Sequence, residues 1–230
     1  MSGEEFVGEV LRSDFFDVDS VSQDLIRERL KNLLDHYGYS DILVPVFTCT
    51  MELAVNAVKA NLKNLYFENY AARSKSGRVN ALSYRKSLEL FRHELRDNGA
   101  RHLVAMAAER NIRSTIEIGM KPGRILSVRV TNPNSMTRIE AANVRRRLEA
   151  VKHISAMSDY LSRNEEEMLY EGAGLGIVFV GLVIRRLNLP ENTFEIASGK
   201  TDTVARMDIP LVPSVLDSYR EIVHGGGEKR

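Results

Sequence analysis

The chain has little net charge, a single cysteine and no long run of uninterrupted apolar residues. A formal net charge of +1 over 230 residues gives no overall field that would draw the chain to nucleic acid or a membrane surface. One cysteine, Cys49, excludes an intramolecular disulfide framework. Its place in an apolar stretch between Thr48 and Thr50 points to a small buried thiol. The acidic N-terminal stretch has no apolar core of the kind a signal peptide needs. No segment reaches the apolar length expected of a spanning helix, so a cytoplasmic protein is expected. No Cys/His cluster suggests a structural metal, and no internal repeat is visible.

What is present is ordinary globular composition, 43% hydrophobic and 27% charged, in a length that suits one domain with additions. Charge is unevenly distributed. Residues 1–20 carry six acids against Arg12, and residues 61–102 carry nine Lys/Arg against four Asp/Glu. Either stretch reads as a solvated surface or as a docking surface.

Hydrophobic periodicity predicts a helix over 22–37, stopped by Gly38, and a second over about 42–64 with Pro45 near its start. A basic segment, 64–102, holds a loop at "RSKSGR" and a helix in "SYRKSLELFRHEL", and a short helix follows over 100–110. The strands "IRSTIEIG" (112–119) and "RILSVRVT" (124–131) alternate well enough to form a hairpin. Helical spacing returns over 137–163. "GAGLGIVFVGLVIRRL" (172–187) is ambiguous, because β-branched residues favour a strand and length favours a helix. "TFEIAS" (193–198) and "TVARMDI" (203–209) form a second hairpin, 212–223 is helical, and the tail "HGGGEKR" should be disordered. This order gives a two-layer α+β fold and not alternating βαβ units.

Three separated pieces carry chemistry. On the second helix Glu52, Asn56 and Lys59 follow at spacings of four and three, which stacks an acid, an amide and an amine on one face of an otherwise apolar helix. Such a row faces either a cleft or solvent. Gly172, Gly174, Leu175 and Gly176 open the ambiguous apolar segment. If that segment is a helix, its glycines and N-terminal dipole can cradle a phosphate. At the end of a strand, Thr131-Asn132-Pro133-Asn134 forms a turn that presents Asn132 either to a base edge or merely to the turn itself.

Taken in order, these pieces resemble the histidine-kinase-like ATPase superfamily, which includes gyrase, the Hsp90 chaperone, MutL and the bacterial anti-sigma kinases. "ELAVNAVKA" (52–60) resembles that family's N box, "GAGLG" (172–176) its second glycine box, and "TVARMDIPL" its closing strand. The similarity covers roughly residues 22–211. It implies a Bergerat-type fold, a two-layer α/β sandwich with a mixed, mostly antiparallel sheet and helices on one face. An acidic N-terminal segment (1–21) would precede that domain, a basic helical insertion (64–102) would interrupt it, and a C-terminal helix and tail (212–230) would follow.

The resemblance also implies ATP and Mg²⁺ as ligands. It assigns Asn56 to Mg²⁺, Lys59 to the phosphates, Glu52 to general base or water positioning, and Asn132 and Thr203 to the adenine. Residues 137–171 would form a lid. The family's first glycine box, Asp-x-Gly-x-Gly, is replaced here by Asn132-Pro-Asn-Ser-Met. An Asn carbonyl still accepts a hydrogen bond there but without charge, so weaker binding is expected. No acceptor-type His-Glu pair occurs, and His36, His93 and His102 read as surface residues. The implied function is an ATP-binding signalling protein of the two-component type, an ATPase or kinase acting on a separate partner protein. The altered glycine box supports the alternative, a catalytically degenerate module that docks a response regulator through its basic insertion. No nucleic acid or membrane partner is expected, and a homodimer is left open.

Overall fold

The computed structural model describes residues 6–73, 81–96, 99–163 and 175–224. The elements run β1 (Val7–Phe15), α1 (Ser20–Tyr37), α2 (Leu43–Arg73), α3 (Ala81–Arg96), α4 (Gly99–Glu109), β2 (Ser114–Lys121), β3 (Ile125–Asn132), α5 (Arg138–Val151), α6 (Met157–Arg163), α7 (Leu175–Arg186), β4 (Phe194–Ser198), β5 (Thr203–Pro210) and α8 (Pro213–His224). Five strands form one sheet in the order β1-β2-β3-β5-β4. Every pairing is antiparallel, where the resemblance implied a mixed sheet. The fold class is α+β.

The register explains how the sheet holds its helices. Ile118 lies opposite Val128, which lies opposite Met207, which lies opposite Phe194. Residues that face each other across antiparallel strands share a side of the sheet, and all four are buried. Against that face pack α1, through Ile26, Leu30 and Leu34, and α2, through Val46, Leu53, Val58 and Leu62. The opposite face carries ion pairs instead: Arg12 and Arg129 both reach Glu117, and Asp208 takes Lys121 at 2.9 Å and Arg206 at 3.3 Å. Alternation in β2, β3 and β5 thus becomes one apolar and one charged surface.

Local chemistry sets the helix ends. Asp19 caps α1 by accepting from the Ser22 amide at 2.8 Å, and Gly38 ends it in the left-handed region at φ 79°, where glycine carries no steric cost. In α2, Pro45 sits in the first turn, where its missing N–H has no helical partner to lose. Thr137 and Glu140 form a reciprocal capping box at the start of α5.

Three findings depart from the sequence reading, and one resolves an ambiguity in it. Residues within the acidic N-terminal segment form β1, one of the sheet's two edge strands. The helix expected over 137–163 is two helices, α5 and α6. The segment that periodicity left between strand and helix, and that the resemblance implied to be a helix over 174–187, is the helix α7 over 175–186. It is apolar all round because it is buried on two sides. Ile177, Val180 and Ile184 face the main core, and Val178 and Leu182 form a second cluster with Val151, Ile154 and Tyr160. Finally, one helical stretch, Ser40–Asn69, is long and apolar enough by length and composition to cross a membrane. Here its Leu53, Ala54, Ala57, Val58, Leu62 and Leu65 are buried in the core. The expected loop at 73–78 and the C-terminal tail lie almost wholly outside the described residues.

The basic segment is built into the domain. Phe91 of α3 and Leu103 and Ala107 of α4 join the core beside Leu62 and Leu65 of α2, and the rings of Tyr66 and Phe91 lie 5.6 Å apart.

Candidate functional site

Helix α2 lines the site along much of its length. Near its start Glu52 and Asn56, both half-buried, meet the first turn of α7 at Gly176. A Cβ at Gly176 would overlap the Glu52 carboxylate and lie 3.0 Å from Asn56 Nδ2. The absent Cβ leaves room for the ends of the Glu52 and Asn56 side chains, which a side chain at 176 would push aside. The contact places a carboxylate at the positive end of a helix dipole, a favourable arrangement. It also brings two sequence-separated motifs into touch.

Asn56 Nδ2 is buried and has no hydrogen-bond partner among the described residues. A buried donor left without an acceptor costs on the order of 1–3 kcal/mol, so the position calls for an acceptor that the described residues do not supply. Beneath Glu52 lies Cys49, fully buried. Burial, with a smaller contribution from the Glu52 charge, pushes its thiol up to about 12. Cys49 is therefore a neutral packing residue at neutral pH.

Lys59 is exposed. The lysine that α2 directs at a neighbouring element is Lys63, which makes a tight ion pair with Glu140 of α5, both side chains more than four-fifths buried. Glu140 is also the capping-box residue of α5, so one carboxylate fixes the start of α5 and ties it to α2. At its far end α5 is held by Arg185 of α7, whose guanidinium donates to the Val151 and Ile154 carbonyls.

The second part of the site lies at the ends of β3 and β5. Asn132 and Thr203 are directly opposite in register, and Asn132 is buried. Asn134 joins them. Its amide donates to Asn132 Oδ1 at 3.1 Å and its carbonyl accepts from Thr203 Oγ1 at 2.7 Å. Its side-chain Nδ2 donates to Asn61 Oδ1 at 2.7 Å, and Asn61 donates to Ser114 Oγ at 3.0 Å. Asn61 lies five residues beyond Asn56 on α2, a rise of about 7.5 Å, so the two halves of the site share one helix.

Of the expected residues, Glu52, Asn56 and Gly176 meet, and Asn132 and Thr203 meet. Leu175 packs toward the second cluster of α7, Lys59 stands apart, and Gly172 and Gly174 lie outside the described residues. Sequence reasoning missed Asn61, Lys63, Asn134 and Glu140. Lys63 extends the polar row of α2 by one further step of four, which was a readable signal. Asn61 is on another face of the helix and carried none.

An unpartnered buried amide N–H beside the first turn of a helix calls for an acceptor oxygen, and an anionic oxygen would suit it. Among the described residues no group of three or more His, Cys, Asp or Glu side chains could hold a metal ion by itself, so a cation here would share its coordination with a ligand.

The chain is 25% identical over 181 residues to an uncharacterised protein of Treponema pallidum (strain Nichols), a match covering 78% of this chain and 34% of that protein. The match thus spans about one third of the length of that relative. No family model matches, and no solved structure matches.

Proposed function

We propose that the chain is a nucleotide-binding domain of the histidine-kinase-like ATPase type, with a Bergerat-type arrangement of its α+β fold, serving signal transduction. The observation that carries this reading is the meeting of Glu52 and Asn56 with Gly176, because two motifs more than a hundred residues apart converge on one helix N-terminus. The opposition of Asn132 and Thr203 at the strand ends supports it independently.

The chain's own residues would divide the work as follows. First-turn amides of α7 donate to phosphate oxygens, and the helix dipole favours their charge. Asn56 contributes its amide to the same region. Mg²⁺, when bound, would neutralise phosphate charge. Glu52 is positioned to orient a water or a partner's acceptor group and to take its proton, and positioning with charge stabilisation is most of what phosphoryl transfer requires. Helices α5 and α6, anchored through Lys63–Glu140 and Arg185, cover the site as a lid. A partner protein of acidic character would dock on the basic α3–α4 region, where Lys86 and Arg101 are exposed.

The test is calorimetric titration with ATP, with and without Mg²⁺, on the wild type and on Asn56→Ala. Metal-dependent binding in the wild type, and its loss in a folded variant, is the expected outcome. Equal binding by both proteins would remove Asn56 from the site. A folded wild type that binds no nucleotide would leave the polar row a purely structural feature.

A further inference from the structure

Asn134 occupies the crossing of α2, β3 and β5 with its N–H, its carbonyl and its side-chain Nδ2 all engaged. Its N–H donates to Asn132, its carbonyl accepts from Thr203, and its side chain donates to Asn61. Asn132 and Thr203 are the acceptor and donor that the proposed reading offers to a base. An adenine edge would bring an amino donor and ring-nitrogen acceptors, and Asn134 already supplies a donor to the one residue and an acceptor to the other. The side-chain bond to Asn61, itself buried and bonded to the fully buried Ser114, fixes the turn in that position. A base entering here would exchange made hydrogen bonds for equivalent ones and gain little.

We infer that Asn134 fills the base subsite from within the chain, so that a nucleotide is recognised by its phosphates without selection of its base. The ligand class is then a polyphosphate or any nucleoside triphosphate, and Asn134 is the residue that sets this lack of base specificity. This inference rests on the proposed nucleotide-binding reading.

The experiment compares ATP, GTP and inorganic tripolyphosphate, each with Mg²⁺, on the whole chain and on Asn134→Ala. In the wild type the three dissociation constants should agree within about threefold. Asn134→Ala, which removes the bridge to Asn61, should bind ATP about tenfold more tightly, the worth of one recovered hydrogen bond, with no gain for tripolyphosphate. Asn134→Ser keeps a short donor and should move in the same direction if the alanine variant does not fold. A wild type that prefers ATP over tripolyphosphate by about tenfold or more, or folded variants that gain no ATP affinity, would overturn the inference while leaving nucleotide binding intact. Absence of binding by all three ligands, to wild type and variants alike, would instead overturn the nucleotide reading and this inference with it.

Discussion

At Gly176 a single hydrogen in place of a side chain leaves room for the Glu52 carboxylate against α7. Gly176→Ala would drive a methyl group into the Glu52 carboxylate. The gain in helix propensity, about 1 kcal/mol at best, is outweighed by overpacking of about 1–3 kcal/mol. The urea midpoint should therefore fall, and an unchanged midpoint would mean that Glu52 swings freely away from α7. Cys49 makes a second residue-scale test. Its thiol is buried and pushed up to about 12 from an ordinary 9.0, so the unfolded chain ionises first as pH rises. Below 9.0 the thiol's burial is unopposed by ionisation, and stability is lost progressively as pH climbs from 9.0 toward 12. At neutral pH a thiol reagent should label Cys49 only after denaturant is added, and rapid labelling of the native protein would contradict its burial.

Among the elements, α5 is pinned at its two ends by Lys63–Glu140 and Arg185 while Val144 and Leu148 pack against the core between them. Lys63→Met removes one partner of a mostly buried ion pair and leaves Glu140 with its capping role alone. Hydrogen exchange across 138–151 should then quicken while the sheet keeps its protection. Uniform quickening throughout the chain would show that α5 is not a separable unit. Thr137→Ala removes the cap from the same helix and should cost about 0.5–2 kcal/mol. Elements with a clean period were legible in the sequence: α1 through Ile26, Leu30 and Leu34, and the β2–β3 hairpin through Ile116, Ile118, Val128 and Val130. β1 was not, because its register shifts between Val7 and Leu11 and Gly8 there takes a positive φ of 78°. Those two features break the alternation that identifies a strand. The helix α7 was ambiguous for another reason. A segment buried on two sides has no polar face, and only tertiary packing chooses between its strand and helix forms.

For the molecule as a whole, the two halves of the candidate site differ in how far the sequence revealed them. Glu52, Asn56 and the glycines were visible as local spacings within single segments. The bond between Asn61 and Asn134 joins residues 73 positions apart, and no local pattern encodes such a meeting. The central claim is that a nucleotide's phosphates are held where Glu52 and Asn56 of α2 meet the first turn of α7 at Gly176. Hydrogen exchange measured with and without saturating Mg-ATP tests it most directly. Slowed exchange should appear together in the first turn of α7 and around 52–56 of α2, with β1, β2 and the turn at 132–135 unaffected. Protection confined to the α3–α4 region, or no change anywhere on saturation, would contradict it.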